Sequence, residues 1–452
     1  MRIPKELNGR SGNDLGTNMS EGKKDARLHQ DFPQKIFIVL ALTYVLLVLS
    51  TVINTYWVNY SHSDGIVLPN HEVVGGDFLC FYVAGENARN NVEGLYDFDR
   101  SHMRQQQIIA GRNVRFGYLP FVYPPLVALI FSPLSAFSFQ RAYLTWLAFS
   151  VFLSSLAVVL VLRWTRISKP AKIVFFIGCF GFVPYIINCL AGGQTSCIGL
   201  FTFAMVYFFL KSNRDFLAGV ALSLSYYKPP LFLVFLMFVF LHRRWKMLVA
   251  FFLMAVILIT ASILMVGIDG FLGYLQKVSQ YTYGHEIIRG ITLPPTLGVG
   301  LYALITVTMS STPMASKLLF GFLGGLLVLA TYLLCIRGRR EQREAEFFDL
   351  LFALEVTMST LLSLQLLYYD LTILLVPMVI VGGWLWTSAM DRTRVFSFIA
   401  VVGLYTEFIF RESLAQKTPV KVATVMLCIW AVALLVSLSR RTVADTNLVY
   451  SQ

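Results

Sequence analysis

The chain has 452 residues, 56 % of them hydrophobic and only 14 % charged, and its mean hydropathy is +0.66. A soluble domain needs about 25 % charged residues to cover its surface, so this composition describes a polytopic membrane protein and excludes a cytosolic enzyme, a DNA-binding module and a disordered scaffold. The net charge of +12 sits in short Lys/Arg clusters between apolar runs, which is how the positive-inside rule distributes charge and not how a nucleic-acid face is built.

In chain order, the polar residues 1–35 read as a disordered cytoplasmic tail. Ile36–Trp57 is the first span, a signal anchor with no cleavage site after it. Residues 58–140 form a long first outer loop within a membrane domain reaching from residue 36 to 440. Apolar runs of spanning length, about 20 residues, follow at Tyr143–Leu162, Ile173–Leu190, Trp245–Val266, Lys317–Ile336, Phe347–Leu367, Leu371–Thr387 and Val420–Leu438. Thr195–Leu210 and Val395–Phe410 are shorter spans, and Phe216–Leu241 is interrupted by Lys228-Pro229-Pro230. Two further apolar pieces, Phe121–Phe137 and Pro294–Met309, are short and carry proline pairs. Residues 441–452 form a second cytoplasmic tail.

The basic clusters set the orientation. Lys23, Lys24, Arg27 and Lys35 precede the first span; Arg163, Arg166, Lys169 and Lys172, then Lys211 and Arg214, then Arg243, Arg244 and Lys246 follow later ones. Arg337, Arg339, Arg340 and Arg343, then Arg392 and Arg394, then Arg440 and Arg441 complete the set. If all are cytoplasmic, neither Phe121–Phe137 nor Pro294–Met309 crosses, and Phe216–Leu241 is two short helices meeting at Lys228 on the outer side. The expectation is an all-α bundle of about twelve spans, both termini inside, with the first outer loop roofing an outward cavity.

The chemistry-bearing residues collect on that outer side. Asp77, after Gly75-Gly76, reads as a helix N-cap or as a general base tuned by partial burial. Gly192-Gly193-Gln194 is a tight helical hairpin, or a close backbone approach with Gln194 bonding a sugar hydroxyl. Lys228 either snorkels to the interface or meets a phosphate as a point charge. His285, Glu286 and Arg289 lie in a later loop, where Arg289 could grip phosphate bidentately. Ser363, Gln365, Tyr368, Tyr369 and Asp370 form the outer end of a span; Asp370 could orient a sugar or pair with Lys228 or Arg289. Glu355 and Glu407, inside spans, must pair within the bundle. Asp97-Phe98-Asp99 has the spacing of a nucleotide-sugar motif but lies outside the membrane and reads as loop or cap. Cys189 and Cys197 flank a turn and could pair, and no Cys/His group has metal-ligand spacing in sequence.

Taken in order, Asp77 and Tyr82, Leu95-Tyr96-Asp97, Tyr123-Pro124-Pro125-Leu126, Gly193-Gln194, Ala218-Gly219-Val220 leading to Lys228-Pro229, and Arg243-Arg244-Trp245 resemble the GT-C membrane glycosyltransferases, most closely glycosyltransferase family 87. The resemblance covers residues 36–390. It implies transfer of one sugar, mannose favoured, from a polyprenyl-phosphate carrier to a lipid or glycan hydroxyl on the outer face of a bacterial inner membrane, with inversion. It implies Asp77 as general base and no metal or other cofactor. Lys228, Arg289 and His285 would then bind the donor phosphate, and Tyr82, Gln194, Tyr123, Tyr369 and Asp370 the sugar or acceptor. The implied partners are the lipid-linked donor, the acceptor and membrane lipids, with no nucleic acid. Mycobacterial members carry a histidine where this chain reads Tyr368-Tyr369-Asp370. The alternative from another class is a transporter or flippase of lipid-linked glycans, for which the broken helix at Lys228 speaks but the lack of repeated halves does not.

Overall fold

The computed structural model describes residues 39, 41–114, 119–280, 286–288, 291–292, 297–337, 345–387, 390–415 and 421–450. The tail expected over residues 1–35 lies outside the described residues, while the one expected over 441–452 continues the last helix to Tyr450.

Apolar sequence becomes helix almost throughout, because a backbone without water must satisfy its own hydrogen bonds. The helices are α1 (Ala41–Ser61), α2 (Phe78–Asn90), α3 (Phe98–Ile109), α4 (Pro125–Phe131), α5 (Phe139–Trp164), α6 (Lys169–Cys179), the π-helical α7 (Pro184–Ala191), α8 (Ser196–Lys211), α9 (Asp215–Ser223) and α10 (Leu233–Leu241). Then come α11 (Trp245–Gln280), a small antiparallel hairpin β1 (Glu286–Ile288) and β2 (Ile291–Thr292), α12 (Leu301–Thr308), α13 (Pro313–Arg337), α14 (Ala345–Leu361), α15 (Leu375–Thr387), α16 (Arg392–Ala415) and α17 (Val422–Tyr450).

Among the described residues, six stretches are long and apolar enough to cross a membrane: α1, α5, α11, α13, the 3₁₀ turn Tyr368–Leu374 with α15, and α17; α6 and α7 make a seventh as a bent pair. The molecule is thus an all-α membrane helix bundle. The other apolar runs form shorter helices, and the physical reasons are local. Helix α8 is a 16-residue rod of about 24 Å. The run from Phe216 to Leu241 breaks at Lys228, whose φ of −151° and ψ of 75° leave helical space just before two prolines. Phe121–Phe137 yields only the 7-residue α4 and one 3₁₀ turn, and the described part of the other piece, residues 297–309, carries the 8-residue α12. Neither helix is long enough to span, in agreement with the charge-based reading.

The centre of the bundle is α14, α15, α8 and α5. Leu354, Val356, Met358, Val381 and Cys197 are fully enclosed there. Helices α16 and α17 pack along each other, α9 along α11, and α14 against α15 and α17. By contrast α11 and α13 turn Val249, Phe252, Val256, Leu264, Leu318 and Phe322 outward, the flank that acyl chains cover. Several hydroxyls in the helices bond the carbonyl four residues back, as Thr202 does to Ile198 and Thr357 to Ala353, each at 2.8 Å, so these need no partner from outside the helix. The two intramembrane glutamates find partners: Glu407 accepts from the Tyr368 hydroxyl at 2.6 Å, and Glu355 is hydrogen-bonded to His242.

One end of the bundle is a belt of paired charges. Lys211 meets Asp349 at 2.7 Å, Arg244 meets Asp215 at 2.9 Å, and Arg441 meets Glu346 at 2.6 Å. The opposite end, one length of α8 away, carries α2–α4 folded as a roof over the helix ends.

Candidate active site

Two glycine turns bring the roof onto the bundle. Gly75 and Gly76 adopt φ of 74° and 49°, and Gly193 adopts φ of 64°. In that left-handed region a side chain is strained, and here space forbids one as well. A Cβ on Gly193 would lie 2.6 Å from the Gly75 carbonyl oxygen and 2.6 Å from Phe78. The two turns touch, and the Asp77 amide donates to the Gly192 carbonyl at 3.2 Å. Helix α5 fixes the second turn from below: Tyr143 donates to the Ala191 carbonyl at 3.0 Å and Trp146 Nε1 to the Gly193 carbonyl at 3.2 Å. They lie three residues apart, so both reach the turn from one face of α5.

This contact delivers Gln194 to Asp77. Asp77 occupies the N-cap position of α2, but its side chain caps no amide. Its carboxylate instead accepts from Gln194 Nε2, while the Tyr123 hydroxyl lies 3.5 Å from Gln194 Oε1. Of the two sequence readings of Asp77, the side-chain cap is therefore the one the geometry rejects. Burial pushes the Asp77 carboxyl up to about 6, with the Lys228 ammonium pulling the other way. Asp97 does cap: it accepts from the Arg100 amide at 3.0 Å at the start of α3, as its loop-or-cap reading had it.

Lys228 does not snorkel. Its side chain is 13 % exposed and its Nζ donates to Asp370 at 2.6 Å, with Asp370 wholly buried. Asp370 also accepts from Ser196 Oγ at 3.1 Å and from the Leu367 amide at 3.0 Å, so the carboxylate is held by three donors from three segments. The Tyr369 ring lies 4.6 Å from the ammonium, a cation–π contact. A lysine that would be costly in an apolar run is thereby neutralised in place.

Asp77, Tyr123, Gln194, Lys228 and Tyr369 all line one open cleft of about 700 Å³ including its mouth. Asp370 lies directly beneath it as the partner of Lys228. Tyr82 is elsewhere: its ring packs edge-on against Phe139 and its hydroxyl donates to the Phe137 carbonyl at 2.8 Å, so it braces the roof and is not among the cleft residues. The reason is helical phase, since Asp77 and Tyr82 are five residues apart and point different ways from α2. His285 and Arg289 lie outside the described residues. The cleft also takes Gln365, which the sequence reading grouped with Tyr369 and Asp370 at the outer end of a span, and Phe81, Tyr227 and Tyr274, to which it gave no role. Tyr274 comes from the far end of α11, where its ring meets Tyr96 at 5.7 Å, and no local signal marks that contact. None of the six cysteines forms a disulfide, Cys189 and Cys197 included.

The arrangement can take a proton at Asp77 and place positive charge within the same cleft. The carboxylate is oriented by an amide, and water is partly excluded by aromatic walls. The model of glycosyltransferase family 87 matches residues 121–363. No curated protein and no solved structure matches the chain.

Proposed function

Since the chain belongs to glycosyltransferase family 87 and is a membrane glycosyltransferase, we propose that it moves one sugar from a polyprenyl-phosphate carrier to an acceptor hydroxyl on the outer face, with inversion. Hexose is the favoured class, and mannose within it. Asp77 takes the proton of the acceptor hydroxyl as that oxygen attacks the anomeric carbon. The bond from that carbon to the carrier phosphate oxygen breaks, and the phosphate leaves with the electron pair. Lys228 supports the charge developing on the phosphate. Tyr123 and Tyr369 offer aromatic walls to a sugar ring, with Gln194 between Asp77 and Tyr123. Because the leaving group is already a phosphate, the reaction needs no general acid. Asp77 is the one carboxylate among the described cleft residues, which supports a mechanism without a metal.

The observation that carries this reading is the place of Asp77: its carboxylate lines the cleft and is held by Gln194, and burial pushes it up to about 6, toward the range that suits a general base. Orientation rests on the separation of charge. The belt of Lys211, Arg244 and Arg441 supports a cytoplasmic assignment of that end by the positive-inside rule, and the cleft opens at the other. With the 24-residue α16, the 17-residue α14 and the 16-residue α8 each counted as a crossing, and α9 and α10 as the helical cores of two short segments that meet at Lys228, twelve crossings and both termini inside follow. The acceptor is a membrane lipid or a glycan, and the setting a bacterial inner membrane with the cleft facing the periplasm.

The test is a transfer assay on purified protein in detergent, with labelled polyprenyl-phosphate monosaccharides as donors and a membrane-lipid extract as acceptor. Label should pass to a new lipid or glycan with the wild type only, and not with Asp77→Asn. Net movement of intact lipid-linked glycan across proteoliposomes without any glycosidic transfer would replace the enzyme by a flippase.

A further inference from the structure

A second cluster of chemically able side chains lies away from the cleft, toward the charged end of the bundle. His242 follows the last residue of α10, Cys335 is in the last turn of α13, and Glu355 is in the middle of α14. Their ligand atoms lie within 4.8 Å of one another. Cys335 Sγ is 3.7 Å from His242 Nε2, and a Glu355 oxygen is hydrogen-bonded to that same nitrogen. Glu355 and Cys335 are buried and the His242 side chain is 11 % exposed. Sequence spacing hides the group, because its members are 93 and 113 residues from His242.

We propose that His242, Cys335 and Glu355 bind one Zn²⁺ ion. Three arguments carry this. The first is chemistry: thiolate, imidazole and carboxylate together suit zinc and not the hard cations that prefer oxygen alone. The second is geometry. Tetrahedral zinc with bonds of about 2.0–2.3 Å holds its ligand atoms about 3.4–3.6 Å apart, close to the 3.7 Å between Cys335 Sγ and His242 Nε2. The Glu355 oxygen then moves back from the imidazole by roughly an ångström to make room. The third is charge. Zn²⁺ with one thiolate and one carboxylate is a neutral unit, which is what a low-dielectric interior accepts. Binding displaces the thiol proton of Cys335 and any second proton on His242, which leave to water.

A cleft of about 380 Å³ including its mouth adjoins the cluster, with His242, Glu355, Phe348 and Arg244 in its walls. It gives the ion a way in, and room for a water in the fourth position. Arg244 in the same wall does not oppose a cation at full strength, because Asp215 neutralises it at 2.9 Å. The ion ties α14, in the packed centre, to the end of α10 and to α13, a helix whose spanning window is only 17 % buried. It acts as a clamp that holds this outward-facing helix to the bundle.

The full chain, purified in detergent and stripped with a chelator, is reloaded with Zn²⁺ or Co²⁺ and measured by elemental analysis, absorption and thermal unfolding. The expected result is about one metal per chain, a thiolate-to-Co²⁺ charge-transfer band, and a Zn²⁺-dependent rise in Tm. Cys335→Ala should lose the band and bind Zn²⁺ weaker by more than the roughly 10–100-fold that loss of an outer partner costs. Glu355→Gln, which keeps a hydrogen bond to His242, serves if the cysteine variant fails to fold, and should show the same weakening. Wild-type protein that takes up less than about a tenth of an equivalent at micromolar Zn²⁺ would overturn the proposal. So would uptake unchanged in either variant, which would mark the ion as adventitious.

Discussion

Replacing Asp77 by Asn should cost activity and add stability, two effects that separate a working base from a structural residue. Asn keeps the size and can still accept from Gln194, but it cannot take a proton. General-base catalysis contributes about 10²–10⁴-fold, so kcat should fall by that factor. For stability, the carboxyl rises from 3.8 to about 6 on folding. Each unit is about 1.36 kcal/mol, so ionised Asp77 costs at most about 3 kcal/mol at neutral pH. Partial exposure to the cleft screens the charge, and about half that figure is the working expectation. The sign follows from linkage. The folded state binds the proton more tightly, so its stabilisation is complete below pH 3.8 and is lost as pH rises through about 6. Thermal unfolding in detergent at pH 7.5 should therefore show a higher Tm for Asp77→Asn, with the gap closing as pH falls toward 4. Transfer assayed in parallel should be nearly absent. A variant that is inactive but less stable at every pH would mean that Asp77 holds the roof together, and turnover within about threefold of wild type would remove it from the chemistry.

Other expectations follow from the same contacts. The kcat/KM profile should fall on the acid side with a midpoint near 6. Gln194→Ala, which removes a hydrogen bond to the charged form of Asp77, should move that midpoint upward; an unmoved limb would assign it to another group. Lys228→Met and Asp370→Asn each strand a buried partner and should destabilise by about 3–5 kcal/mol. The double variant should recover most of that loss, as read from chemical unfolding, and additive losses would show that the two groups are not coupled. Gly193→Ala puts a methyl against the Gly75 carbonyl and Phe78 at a positive φ, so it should lower both Tm and transfer, by more than 1 kcal/mol on the stability side; a silent substitution would mean that the turns can part without consequence.

Much of this could be read from the chain alone, for identifiable reasons. Hydropathy and charge together specify a membrane bundle because the bilayer leaves no other way to satisfy a backbone, and the Lys/Arg clusters mark which helix ends lie together. The break at Lys228-Pro229-Pro230 was legible because proline and charge act locally. The same holds for the failure of Phe121–Phe137 to span. Pairing was not legible. The sequence named Asp370 and Lys228, 142 residues apart, but allowed a snorkelling lysine equally well. It named Asp77 and Gln194 but left a cap as one of two readings. Tyr82 looked like a site residue until the phase of α2 turned it toward Phe137. Composition and local pattern determine which segments are helical and which faces meet lipid, because those depend on neighbours within a turn or two. Only the tertiary structure decides which carboxylate is held by an amide and which by an ammonium, since that rests on the contact of two glycine turns from distant parts of the chain, and no local rule encodes the approach of one backbone to another.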